Sequence, residues 1–161
     1  FNGNYGVLLR AYVYILSLGK KGLKDVSQKA VLNANYLKHL LMSQYDIPFT
    51  DGTMHEFVIS AEKQKRKNLK ALDIAKNLLD YGFHAPTVYF PTNIVESIMI
   101  EPTETETKET LDDFAEIMNF LDDNIDSQLE YFKEAPYKTP VRRLNETKAN
   151  RELDVKWNDE V

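Results

Sequence analysis

The sequence predicts an α+β domain, a three- to four-stranded antiparallel or mixed sheet with helices packed on it. Long segments near both ends carry apolar residues at helical spacing. Between them lie short β-branched or aromatic runs punctuated by Pro and Gly. The resulting order is two helices, a strand, a helix, two strands and a helix, which makes a layered α+β arrangement.

Each element has its own signal. Val7, Leu8, Ala11, Tyr12, Ile15 and Leu18 recur at helical spacing, and Gly19 supplies a stop. A second helix is predicted over about 22–45, with Leu23, Val26, Ala30, Leu37 and Leu41 as its buried stripe. Pro48 and Asp51-Gly52 mark a break and a turn. Residues 54–60 read as a strand with His55, Phe57 and Ile59 on one face. The basic stretch 61–70 reads as a solvated loop. A third helix follows over about 71–81, with Leu72, Ala75, Leu78 and Leu79 inward and Gly82 as its stop. Strands are predicted near 87–90 and 97–100, between Pro86, Pro91 and Pro102. The last helix starts around 105–107 and places Leu111, Phe114, Met118, Leu121 and Ile125 on one stripe. Thr103 and Glu106 have the spacing of a capping box for it. Beyond Pro136 the periodicity ends, which predicts an extended tail lying on a surface.

The domain organisation expected is therefore a helical linker over 1–46, a small α+β domain over 47–136 and a tail over 137–161. The chain opens on Phe1 with neither an initiator Met nor the basic and apolar regions of a signal peptide, and it reads as beginning in mid-protein.

Composition narrows the function classes. The 161 residues are 43% hydrophobic and 28% charged, with nine Tyr and eight Phe to bury, so disorder is not expected. The net charge of -5 gives no electrostatic reason to expect nucleic acid or an anionic membrane as partner. Cysteine is absent, which excludes disulfides, thiolate metal sites and cysteine nucleophiles and fits a reducing compartment. His39, His55 and His84 have no partners at metal-ligand spacing, so no metal site is expected. No nucleophile elbow, dinucleotide fingerprint or phosphate loop is present.

Polar residues stand out in three places. His84 sits in the Pro-bounded connection 82–87, either as a loop histidine bonded to backbone or as a group presented to a ligand. Acids cluster over 101–106 before a helix, where capping and dipole complement are the plain reading, although Glu101 adjoins the apolar strand. His55 reads as a satisfied core or interface histidine rather than a ligand.

The same stretches resemble the pyridoxal-phosphate (PLP) subunit of the glycine cleavage P-protein, glycine dehydrogenase (decarboxylating). The strings are Gly3-Asn4-Tyr5-Gly6-Val7-Leu8 with Arg10-Ala11-Tyr12, then Ala30-Val31-Leu32-Asn33-Ala34-Asn35-Tyr36-Leu37 and His55-Glu56-Phe57-Val58. They continue with Tyr81-Gly82-Phe83-His84-Ala85-Pro86-Thr87, Glu101-Pro102-Thr103-Glu104-Thr105-Glu106 and Thr139-Pro140-Val141-Arg142-Arg143-Leu144. They stand in family order and cover nearly the whole chain. The Arg-Arg tail resembles the separate second subunit of a two-subunit bacterial enzyme.

The resemblance implies the small C-terminal domain of a fold-type I, aminotransferase-like PLP enzyme. Its parent would release CO2 from glycine, with PLP as electron sink, and pass the aminomethyl group to the lipoyl arm of the H-protein. The partners implied are lipoylated H-protein, a P-protein subunit 1 and glycine, in the cytoplasm. The family's His-Lys motif is missing, so no PLP lysine is assigned and no cofactor is expected on this chain itself. His84, Thr87, Glu101 and Thr103 would line the active-site mouth. Asn4 and Arg10 would act at a domain junction or bind a carboxylate, although Arg10 reads equally as a surface residue. Another fold-type I enzyme (an aminotransferase or desulfurase) and a non-catalytic α+β binding module are the competing readings.

Overall fold

The computed structural model describes residues 3–157; Phe1, Asn2 and the tail positions 158–161 lie outside the described residues. The elements in chain order are α1 (Tyr5–Leu41), β1 (Phe57–Ser60), α2 (Glu62–Arg66), α3 (Ala71–Asp80), β2 (Thr87–Val88), β3 (Ser97–Ile100), α4 (Lys108–Asp123), α5 (Ile125–Glu134) and α6 (Glu146–Arg151).

The sheet has three strands in the order β1-β3-β2, all antiparallel. Phe57 pairs with Ile100 and Ile59 with Ile98, so four apolar side chains share one face and are buried on it. Thr87 pairs with Met99. Because β2 and β3 run antiparallel, the segment entering β2 and the segment leaving β3 meet at one end of the sheet. That brings His84–Thr87 beside Glu101–Thr103, from opposite sides of a long loop.

Gly19 breaks α1 as its sequence predicts, with φ 61° and ψ -177°, a conformation that essentially only glycine adopts without strain. The C-terminal half of α1 belongs to the domain. Ala34, Leu37, Leu41 and Tyr45 join the same core as β1, β3, α3 and α4, so the boundary expected at 46/47 falls inside the core. Leu23 is 36% exposed, and only the stripe from Ala34 onward is fully buried.

Other details depart from the sequence reading. The strand begins at Phe57, which leaves His55 outside it with its side chain 54% exposed rather than inside the apolar face. The basic stretch contains a helical turn, α2, whose Gln64 is buried and donates to Asp122 at 2.7 Å. Ile74 of α3 is fully buried, while Leu72 and Leu79 are only half-buried. Thr107, not Thr103, caps α4 by accepting from the Thr110 N–H at 3.1 Å. The predicted last helix ends at Asp123 and a separate helix, α5, follows. The tail carries one short helix, α6, and is otherwise irregular up to residue 157.

The tail is tied down by polar contacts. Asp80 accepts the N–H groups of Tyr137 and Lys138 at 2.7 Å each. Arg142 donates to the Glu134 and Pro136 carbonyls and lies over the Tyr137 ring, satisfying exposed carbonyls at the end of α5.

Candidate functional site

The end of α3 builds the first wall of the site. Gly82 takes φ 83°, its N–H bonds to the Leu79 carbonyl and the Phe83 N–H bonds to that of Leu78. This is the left-handed glycine stop that satisfies a helix's last carbonyls and turns the chain sharply. Phe83 is thereby driven inward, edge-on to Phe114 at 5.3 Å. The next residue, His84, is left on the rim. Ala85-Pro86 then carries the chain extended into β2, whose first residue is Thr87.

The second wall leaves β3. Glu101 is exposed, Pro102 is buried, and Thr103 to Glu106 form a turn in which the Glu106 N–H bonds to the Thr103 carbonyl at 3.3 Å. The Thr103 and Thr105 hydroxyls lie 2.7 Å apart. Asn33 of α1 donates to the Thr103 carbonyl at 2.8 Å and to that of Glu106 at 3.4 Å. Tyr14 donates to Glu104 at 3.1 Å, and the accepting carboxylate holds the Tyr14 phenol above its usual range.

Between the walls lies a cleft of about 370 Å³. Leu37, Phe83, Met99, Ile100, Leu111 and Phe114 give it an apolar floor. His84, Thr87, Glu101, Thr103, Glu106 and Thr110 supply its polar groups. His55 stands beside the rim, with its Nε2 3.9 Å from both Glu56 and Glu101. The cleft is thus a greasy slot with hydroxyls, an imidazole and carboxylates around its edge, a common form for small-ligand sites.

The structure therefore gathers His84, Thr87, Glu101 and Thr103 in one cleft. Asn4 and Arg10 are not part of it. Asn4 caps α1 by accepting from the Val7 N–H at 3.2 Å. Arg10 lies beside Val7, Leu9, Val13, Tyr14 and Ser17 on the exposed first segment of α1. Asn33 and Glu106 are site residues that periodicity alone did not single out. Asn33 sits off the apolar stripe of its helix, and only its contact across 70 residues reveals what it holds.

PLP needs an amine for its aldehyde and cationic or N–H donors for its phosphate. Of the residues lining the cleft, none is Lys or Arg and two are carboxylates. The cleft by itself does not fit the cofactor. Nor do any three His, Cys, Asp or Glu among the described residues converge as a metal would require.

An α+β domain with a rim of this kind, on a scaffold of one broken helix and a small antiparallel sheet, is the class of protein these features define. The chain belongs to the glycine dehydrogenase C-terminal domain family, whose model matches residues 26–141. It is 54% identical over 156 residues to a probable glycine dehydrogenase (decarboxylating) subunit 2 of Chlorobium phaeobacteroides, covering 96% of this chain and 32% of that protein. It is 55% identical over 161 residues to the protein of the same name in Thermosipho melanesiensis, covering 99% of this chain and 34% of that one. The corresponding protein of Shouchella clausii is 51% identical over 157 residues. The chain spans about a third of the length of these relatives. All three relatives carry the name of a decarboxylating glycine dehydrogenase subunit, and none is named an aminotransferase or a desulfurase. Among the described residues no helix is long and apolar enough to cross a membrane.

Proposed function

We propose that this chain forms the small closing domain of a cytoplasmic, PLP-dependent glycine-decarboxylating enzyme, and that its cleft receives the lipoyl arm of the H-protein. The observation that carries this is the meeting of the Tyr81–Thr87 and Glu101–Glu106 segments around one apolar cleft without a cation. A free carboxylate or phosphate would find carboxylates there and no positive partner, whereas an uncharged alkyl-dithiolane arm would find apolar walls. The glycine carboxylate, the PLP phosphate and the PLP lysine therefore belong to parts of the enzyme outside this cleft.

His84 and Thr87 stand on one side of the mouth and Glu101 and Thr103 on the other. Their role is to orient the arm's polar end and to close over it, since a reacting group gains most from being held in line. The first segment of α1 exposes Val7, Leu8, Tyr12, Val13, Ile15 and Leu16 on several faces, and a helix apolar all round is one meant to be covered. In this reading Asn4 and Arg10 meet the remainder of the enzyme there, with subunit 1 as further partner.

The test uses the whole-length protein with its partner subunit, PLP, glycine and lipoylated H-protein. Exchange of labelled CO2 into the glycine carboxyl group, dependent on the H-protein, is the expected result. Transamination of a keto acid without CO2 release would replace this reading with another fold-type I reaction.

A further inference from the structure

We propose that Asn33 is a positioning residue of the site, setting the Thr103–Glu106 rim through its side-chain amide; the functional part of this rests on the reading of the cleft given above. One Nδ2 group spans the two ends of the rim turn, at 2.8 Å from the Thr103 carbonyl and 3.4 Å from the Glu106 carbonyl. Those two carbonyls flank the acidic turn that forms the outer wall of the cleft. Thr103 and Glu106 both line the cleft, so the amide fixes the residues that define its width.

The rim has little else to hold it. Its only backbone bond within the turn is the 3.3 Å contact from Glu106 N–H to the Thr103 carbonyl. Thr103 and Glu106 are exposed, and the other contacts at the rim are the Thr103–Thr105 hydroxyl pair and the surface bond of Tyr14 to Glu104. Asn33, by contrast, stands on the half of α1 that is packed into the core through Ala34 and Leu37. A donor on a packed helix grips an exposed turn by its backbone, which is what support of a site requires.

The same helix also grips a second loop. Asn35, two residues on and so about 200° around the helix, donates to the Thr53 carbonyl at 3.2 Å. Lys38 donates to the Thr50 carbonyl and the Thr53 hydroxyl at 2.9 and 2.8 Å. The Thr53 loop leads to His55, which faces Glu101 across the rim. Asn33, Asn35 and Lys38 thus tie α1 to two loops, of which the 103–106 turn lines the cleft.

The amide also selects the atom that can stand at this position. Both partners are carbonyl oxygens, so only a donor serves. Asn33→Asp puts a carboxylate against two acceptors, Asn33→Ala removes the donor on a strong helix former, and Asn33→Gln keeps an amide on a longer stem.

These variants are made in the whole-length protein with its partner subunit and read in two ways. Amide hydrogen exchange over 103–107 is expected to quicken in Asn33→Ala and Asn33→Asp, while β3 and α3 amides keep their protection. With glycine and lipoylated H-protein, the KM for the H-protein is expected to rise about tenfold with kcat changed less than about twofold, and Asn33→Gln to recover part of the loss. Unchanged exchange at the rim overturns the clamp. A loosened rim with an unchanged KM overturns its functional role. If the unsubstituted enzyme decarboxylates no glycine, the decarboxylase reading falls, and the exchange comparison still decides whether Asn33 holds the rim.

Discussion

Arg143 Nη2 lies 2.8 Å from Asp73 Oδ1, an ion pair that fastens the C-terminal tail to α3. The Asp73 side chain is 8% exposed and the Arg143 side chain 33%, so the carboxylate is the more desolvated partner. Asp73 also accepts the Lys70 N–H at the start of its own helix, at 2.9 Å. Arg143→Ala leaves that buried carboxylate without its cation and frees the Ala135 carbonyl that Arg143 caps. A loss of about 1–3 kcal/mol in urea unfolding is expected, reduced from the fully buried case because Arg143 keeps contact with water. An unchanged midpoint would mean that this pair contributes nothing to the fold.

Tyr45 gives the pH dependence. It is 1% exposed, and its hydroxyl donates to the Met118 carbonyl at 2.8 Å. Burial, with Asp122 and Asp123 nearby, pushes its phenol well above the usual 10.0. A group whose folded pKa is raised contributes stability that is full below its unfolded pKa and is lost as pH rises. The slope therefore appears above about pH 10 and not below it. Tyr45→Phe is expected to cost about 1 kcal/mol at neutral pH, from the lost bond of its hydroxyl to the Met118 carbonyl, and to flatten the alkaline slope. Denaturant titrations of both proteins from neutral to alkaline pH check it; parallel curves would contradict the assignment to Tyr45.

Leu111 and Phe114 serve both the core and the cleft floor, with exposures of 4% and 7%. Leu111→Ala or Phe114→Ala is expected to destabilise by about 2–5 kcal/mol in thermal or urea unfolding. Phe114→Ala also removes the ring against which Phe83 packs, so His84 loses its anchor. Full stability in both variants would mean that α4 does not pack as described.

The parts of this architecture that were legible in the sequence are those set by local chemistry. Gly19 and Gly82 stop helices because their backbones take left-handed φ. The stripe from Leu111 to Leu121 reads as a helix because its spacing is that of a buried face. The α2 turn was not legible, since its residues are basic and its helical form depends on distant partners: Gln64 on Asp122, Lys63 on Asp46 and Lys65 on Glu96. α5 was hidden by Gln128, whose φ of -129° interrupts the helix and with it the periodicity. His55 was misread because strand alternation was extended past Phe57, where pairing with β3 ends. At the site, His84 stood out by its place between Gly82 and Pro86. The joining of His84 to Glu101 is a property of antiparallel pairing, which no local pattern contains. Asn33 was invisible for the same reason.

His84 tests the central claim most directly. It lies at the rim on a glycine turn, and among the described residues no hydrogen bond ties its side chain to the fold. The measurement is H-protein-dependent exchange of labelled CO2 into glycine by the whole-length enzyme, comparing His84→Ala with the unsubstituted protein at equal folded concentration. The account predicts a fall of about tenfold or more with an unchanged unfolding midpoint, the loss that follows when a positioning contact at a reacting centre is removed. Unchanged exchange would contradict the claim that this cleft faces the reaction.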